Sequence, residues 1–123
     1  MVLVDTSIWI ALFRKRDSQI AEKIWMLAAC NEAAVAGPIW VEFLGGFRQH
    51  SVRKAYEHKF RAYPFLETTR DAWDLAADFL AAHPRLGAGD AIIAAIAITS
   101  DAELWTIDND FEVLIDSGLR LFR

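Results

Sequence analysis

Apolar runs of strand length alternate along this chain with apolar residues at helical spacing, the pattern of a parallel sheet covered by helices. Val2-Leu3-Val4 predicts a first strand, and Ser7 to Phe13 a short helix after it. Ile20, Ala21, Ile24, Leu27 and Ala28 recur at the period of a second helix. Ala33 to Ala36 predicts a weak second strand ended by Gly37-Pro38, and Pro38 suits the first turn of a helix from Ile39 to about Phe47. Val52, Ala55, Tyr56 and Phe60 form one apolar stripe, with Arg53, Lys54, Glu57, His58 and Arg61 on the other side. Tyr63 to Leu66 predicts a short extended stretch near a sheet edge, because Pro64 lacks a backbone donor. Thr69 is placed to cap a helix striped by Ala72, Leu75, Ala76, Phe79 and Leu80. After a loop over Pro84 to Gly89, Asp90 opens AIIAAIAI, which is apolar on every side and predicts a helix buried all round. Glu103 to Ile107 and Leu119 to Phe122 predict the closing strands.

Length and composition narrow this picture to one domain over residues 1–123. A chain of 123 residues, 54% apolar and 24% charged, buries a real core and is not disordered. No apolar run reaches membrane-spanning length, and Met1 leads straight into the first strand without a targeting segment. The lone Cys30 rules out an internal disulfide and fits the reducing cytoplasm. A net charge of −4 argues against a protein that coats nucleic acid, yet the cations are grouped. Arg48, Arg53, Lys54, Lys59 and Arg61 form one group and Arg14-Lys15-Arg16 another. The tryptophans stand beside apolar stripes, so four of the five are expected in the core.

The candidate chemistry lies in the carboxylates. Asp5 sits where a strand hands over to a helix, as a cap shared with Thr6 and Ser7 or as a ligand at a strand end. Glu42 lies in mid-helix, with Gly45 and Gly46 at i+3 and i+4 leaving open space beside it; the plainer reading is a solvated surface residue. Asp90 is an N-cap, a ligand or both. Asp108 follows a strand with Asp110 two residues on, which also fits ordinary turn chemistry. Four carboxylates without a nearby His or Cys make a hard oxygen site, suited to Mg2+ or Mn2+ and poorly to zinc. His50, His58 and His83 are expected at the surface, away from these acids. Neither a nucleophile elbow nor a phosphate-cradling Gly loop is present.

In order along the chain, VDTSIWIALF, WVEFLGGF, GAGDAIIAAIAI and LWTIDNDF resemble the PIN domain, and within it the VapC toxins of type II toxin–antitoxin pairs. The resemblance covers essentially the whole chain. It implies a three-layer α/β/α sandwich around a mainly parallel sheet and a Mg2+- or Mn2+-dependent endoribonuclease that inhibits translation and growth. It carries over Asp5, Glu42, Asp90 and Asp108 as the acidic ligands, with Asp110 competing for the fourth place. Thr6 and Thr106 match polar positions that orient the carboxylates or a water. Thr6 and Ser7 then keep the capping role, which frees Asp5 for the metal. Arg53, Lys54, Arg61 and Arg14 are the candidates for holding the RNA backbone. A homodimer and a small VapB-like antitoxin partner are also implied. Three rivals remain: a non-catalytic PIN fold used for protein binding, a receiver-type signalling domain and a haloacid-dehalogenase-like phosphatase. The receiver domain would need an acidic pair where Asp5 stands alone, and the phosphatase a second Asp where Ser7 stands.

Overall fold

The computed structural model describes residues 1–15 and 17–123. Among these, strands β1 (Val2–Val4), β2 (Ala33–Ala36), β3 (Phe65–Leu66) and β4 (Glu103–Trp105) form one parallel sheet in the order β3-β2-β1-β4. Helices α1 (Thr6–Phe13), α2 (Ser18–Ala29), α3 (Gly37–Leu44), α4 (His50–Arg61), α5 (Arg70–Ala82) and α6 (Ala88–Thr99) flank it. A 3₁₀ segment spans Asn109–Ser117 and ends at Gly118, whose φ of +107° is one that L side chains rarely adopt. Among the described residues no helix is long and apolar enough to cross a membrane.

The register fixes what lies side by side. Val2 pairs with Ala33 and Leu3 with Ala34 on one side of β1, while Leu3 pairs with Leu104 and Val4 with Trp105 on the other. Strand β2 is Ala33, Ala34, Val35 and Ala36, mostly Ala, which is a poor β-former by propensity, yet every residue in it is buried. Its place between β1 and β3 overrides the weak local preference. The edge position expected for the Pro64 stretch is where β3 lies, and the Pro64 carbonyl accepts from Val35 at 2.9 Å. Thr69 caps α5 through a 3.2 Å bond from the Ala72 amide to Oγ1. In α6 the residues Ala91, Ile93, Ala94, Ala95, Ile96 and Ala97 are all buried, as an all-apolar helix requires.

The structure departs from the sequence expectation in three elements and at two tryptophans. Helix α3 ends at Leu44, about one turn early, because Gly45 and Gly46 each disfavour helix by about 1 kcal/mol relative to Ala. The expected last strand shrinks to a single parallel bridge between Leu104 and Leu121. Helix α6 begins at Ala88 with Gly87 as its N-cap, so Asp90 stands in the first turn and is not the cap. Trp9 and Trp105 are buried and Trp40 is packed on the core, but Trp25 and Trp73 are exposed. Trp25 follows Ile24, the one buried residue of α2, and so points away from the core. Arg16 of the expected Arg14-Lys15-Arg16 group lies outside the described residues.

The core under α1, α3 and α4 is aromatic. Trp9 packs on Phe60 with ring centroids 4.9 Å apart and on Tyr63 at 5.7 Å, and its indole N–H donates to the Val4 carbonyl at 3.2 Å. That bond ties the start of α1 to the end of β1. The chain runs from β1 to β2 and β3 in one direction and returns to the far side of β1 for β4. The crevice of an open parallel sheet lies at such a reversal, outside the carboxyl ends of the two strands. Here those ends carry Asp5 and Thr106.

Candidate metal centre at the ends of β1 and β4

Asp5 occupies the N-cap position of α1 but makes no side-chain cap bond. Its carboxylate, only 5% exposed, turns toward β4 instead. Ser7 Oγ donates to Asp5 Oδ2 at 2.7 Å and Thr106 Oγ1 donates to the same oxygen at 2.8 Å. Both hydroxyls are held from behind, since the Ile107 amide donates to Ser7 Oγ at 3.2 Å and the Asp108 amide to Thr106 Oγ1 at 3.0 Å. The Asp110 amide then donates to Asp108 Oδ1 at 2.9 Å. One hydrogen-bonded chain thus runs from the end of β1 through the loop after β4. It settles a burial cost that an unpartnered carboxylate would not meet.

The capping role expected of Ser7 is corrected by this geometry, because its hydroxyl is spent on Asp5. Thr6 does not cap either. Its Oγ1 is buried and has no hydrogen-bond partner among the described residues. The orienting part anticipated for Thr6 falls to Ser7, while Thr106 contacts Asp5 directly. A local signal was available for Ser7, since a hydroxyl two residues after an Asp is within its reach in an extended-to-helix corner.

The other acids arrive from helix and loop. Asp90, Asp108 and Asp110 each offer a carboxylate oxygen, all within 4.8 Å of one another. Asp108 is the N-cap of the 3₁₀ segment and Asp110 lies in its first turn, so turn chemistry and clustering are satisfied by the same residues. Both candidates for the fourth ligand therefore reach Asp90. Glu42, exposed on α3, points its Oε1 at Gly89, where a Cβ would come within 3.3 Å. The space beside Glu42 comes from Gly89 on the facing helix and from Gly46, which lines a cleft with it; Gly45 instead packs against the Val41 carbonyl.

Charge converges on Asp90. Burial pushes its carboxyl up to about 6, and the negative charges of Asp108, Asp5, Asp110 and Glu42 add to that push. All five acids thus act on one spot, although Asp5 and Glu42 stand outside the tightest trio. The trio contains no His or Cys, and oxygen-only donor sets fit hard divalent cations. These residues suit Mg2+ or Mn2+.

Among the cations, Arg14 at the C-cap of α1 lines the same cleft as Glu42, with a volume of about 260 Å³. The α4 group is engaged elsewhere. Lys54 and Arg61 both pair with Glu57, at 3.4 and 3.1 Å, and Arg61 lies over Trp40. Arg53 bonds His50 at 3.2 Å. His50 and His58 are exposed as expected, but half-buried His83 lines a cleft that it shares with Asp110, a neighbourhood the sequence pattern did not reveal.

Comparison with known proteins bears on these observations. The PIN domain profile matches residues 2–115. Ribonuclease VapC10 of Mycobacterium tuberculosis is 31% identical over 113 residues, covering 88% of this chain and 83% of the relative. Ribonuclease VapC11 of the same organism is 32% identical over 123 residues, covering 93% and 91%. In three dimensions, VapBC2 of Rickettsia felis, solved on a DNA fragment from its promoter, aligns with a TM-score of 0.82 at 17% identity. That alignment covers 99% of this chain and 98% of the other and shows a common fold.

Proposed function

This chain belongs to the PIN domain family and groups with its VapC ribonucleases, and on that premise we propose that it is a one-domain, Mg2+- or Mn2+-dependent endoribonuclease over residues 1–123. It acts as the toxin of a VapBC pair, restrained by a VapB-like antitoxin. The observation that carries the reading is the convergence of Asp5, Glu42, Asp90, Asp108 and Asp110 at the reversal of a parallel sheet. We place it in the cytoplasm, in keeping with the free, exposed Cys30. A homodimer completes the proposal, supported by the exposed Val41 and Phe65 beside the unpaired edge of β3.

Asp5, Glu42, Asp90 and Asp108 would hold the cation, with Asp110 competing for the fourth place; the closeness of Asp90, Asp108 and Asp110 and the charge of all these acids on Asp90 support that set. Bound there, the cation supplies a water of lowered pKa and Lewis-acid stabilisation of the charge that develops on the phosphoryl oxygens. The chain's own residues do the positioning. Ser7 and Thr106 fix Asp5 Oδ2 by two hydroxyl bonds, which locks the carboxylate in one rotamer and leaves Oδ1 for the centre. The bond from the Asp110 amide fixes Asp108 in the same way. Arg14, which lines the cleft of Glu42, would take a substrate phosphate. Arg53, Lys54 and Arg61 would supply a weaker field, since two of them already share Glu57.

The test uses purified chain freed of its antitoxin, incubated with total RNA in Mg2+, in Mn2+ or in EDTA. Defined fragments are expected with either metal and none in EDTA, with Asp90→Asn silent throughout. Wild type no more active than Asp90→Asn in any divalent metal would sink the nuclease and leave a protein-binding PIN fold.

A further inference from the structure

The loop between α5 and α6 faces the start of the 3₁₀ segment across a cleft of about 530 Å³. Its walls are His83, Arg85 and Leu86 on one side and Asn109, Asp110 and Val113 on the other. Asp110 belongs both to this cleft and to the acidic trio, so the cleft borders the candidate metal centre. None of the other wall residues is used in holding or orienting the acids.

The lining chemistry is mixed in an informative way. Arg85 is exposed and forms no ion pair among the described residues, although Asp110 shares its cleft. A guanidinium left free beside a concentration of acids retains its five donors for an incoming anion, and its fork matches a phosphate. His83 is half-buried, Leu86 is buried and Val113 is 52% exposed, which together give a planar ring and an apolar surface against which a base can pack. The Asn109 side chain offers both donors and an acceptor for a base edge. The volume lies within the roughly 300–1,000 Å³ typical of small-ligand pockets.

We propose that this cleft is a nucleotide subsite: it seats the residue of single-stranded RNA flanking the scissile phosphate, with Arg85 on its phosphate, its base between His83 and Val113, and Asn109 at the base edge. It rests on the ribonuclease reading and adds the place where base preference is set. A base that packs there must be unstacked from its neighbours, as bases in single-stranded RNA can be.

Two measurements test the subsite. The first is binding without chemistry, by fluorescence anisotropy of short single-stranded RNA on chain carrying Asp5→Asn in EDTA. Arg85→Ala should weaken binding about tenfold and lower the salt dependence by about one phosphate, a slope change near 0.7. Arg85→Lys, which keeps the charge without the fork, should fall in between. The second is cleavage of an oligonucleotide set varied at one flanking base, with metal present. His83→Ala should flatten the ranking of kcat/KM among those bases to within about twofold. Wild-type cleavage in which the His83 and Arg85 variants retain both ranking and affinity would overturn the subsite and leave the nuclease standing. Wild type that neither binds nor cleaves RNA would overturn both.

Discussion

The strand end that carries Asp5 and the helix start that carries Asp90 meet at one centre but hold their carboxylates in opposite ways. Asp5 is the more deeply buried, yet two hydroxyls satisfy one of its oxygens and two backbone amides brace those hydroxyls. Asp90 has no hydrogen-bond partner for its side chain among the described residues and faces four other acids, so its carboxyl is pushed up to about 6. One arm of the site is pre-organised by hydrogen bonds; the other stores repulsion that a cation would relieve. Burial alone therefore does not rank the two residues, because desolvation is offset at Asp5 and compounded at Asp90.

The largest effects should fall on both arms alike. Asp5→Asn and Asp90→Asn each remove a negative charge from the centre, and each should lower RNA cleavage on the order of 10³-fold. Stability should separate them. Asp5→Asn exchanges charged acceptor bonds for neutral ones and should cost about 1 kcal/mol, whereas Asp90→Asn should raise the denaturation midpoint of metal-free protein at pH 7. Urea unfolding in EDTA reads both. A shared sign for the two variants would dissolve the distinction between the arms.

Much of this was visible in the order of residues and some of it was not. Val2-Leu3-Val4, the all-apolar run after Asp90 and Pro64 near an edge announced a parallel sheet with its crevice where Asp5 stands. Strand β2 was faint because Ala carries no β preference; only its pairing on both sides makes it a strand. The acids could be nominated singly, but not their spacing. That Asp108 and Asp110 both reach Asp90 depends on a 3₁₀ turn starting one residue after Asp108. That Ser7 and not Thr6 reaches Asp5 depends on which hydroxyl faces β4, a matter of helix phase at a three-residue corner. Trp25 and Trp73 misled because a Trp near an apolar stripe is as readily one step off it.

A smaller effect should come from the hydroxyls that distinguish the Asp5 arm. Ser7→Ala and Thr106→Val each leave Asp5 Oδ2 with one bond where it has two, and each also frees a backbone amide: that of Ile107 for Ser7, and for Thr106 that of Asp108, itself one of the clustered acids. Removing such an orienting partner should weaken metal affinity about 10- to 100-fold, more for Thr106→Val than for Ser7→Ala. Thr6→Val is the contrast: its hydroxyl has no partner to lose, so affinity should hold and the fold should be as stable or more so. Calorimetric titration with Mn2+ separates the three. Equal losses at Thr6 and Thr106 would mean that the hydroxyl bonds do not organise the centre.

The smallest effect belongs to the Asp90 arm alone and is read by pH. In metal-free protein the Asp90 carboxyl titrates near 6 when folded, against an ordinary value of 3.8. Between about pH 4 and 6 the folded chain therefore holds more of this proton than the unfolded chain does, and stability falls as pH rises across that window. The contribution is fully present below about pH 4 and lost above about 6. Because Asp90 is partly solvated, screening discounts its size to roughly 1–2 kcal/mol. Asp90→Asn should remove this fall, so the difference between variant and wild type in EDTA should be near zero at pH 4 and greatest above pH 6. Saturating Mn2+, which binds only the folded chain, should restore wild type at neutral pH and leave Asp90→Asn little changed. Parallel stability curves for the two proteins would show that Asp90 carries no stored repulsion, and the contrast with Asp5 would then reduce to burial.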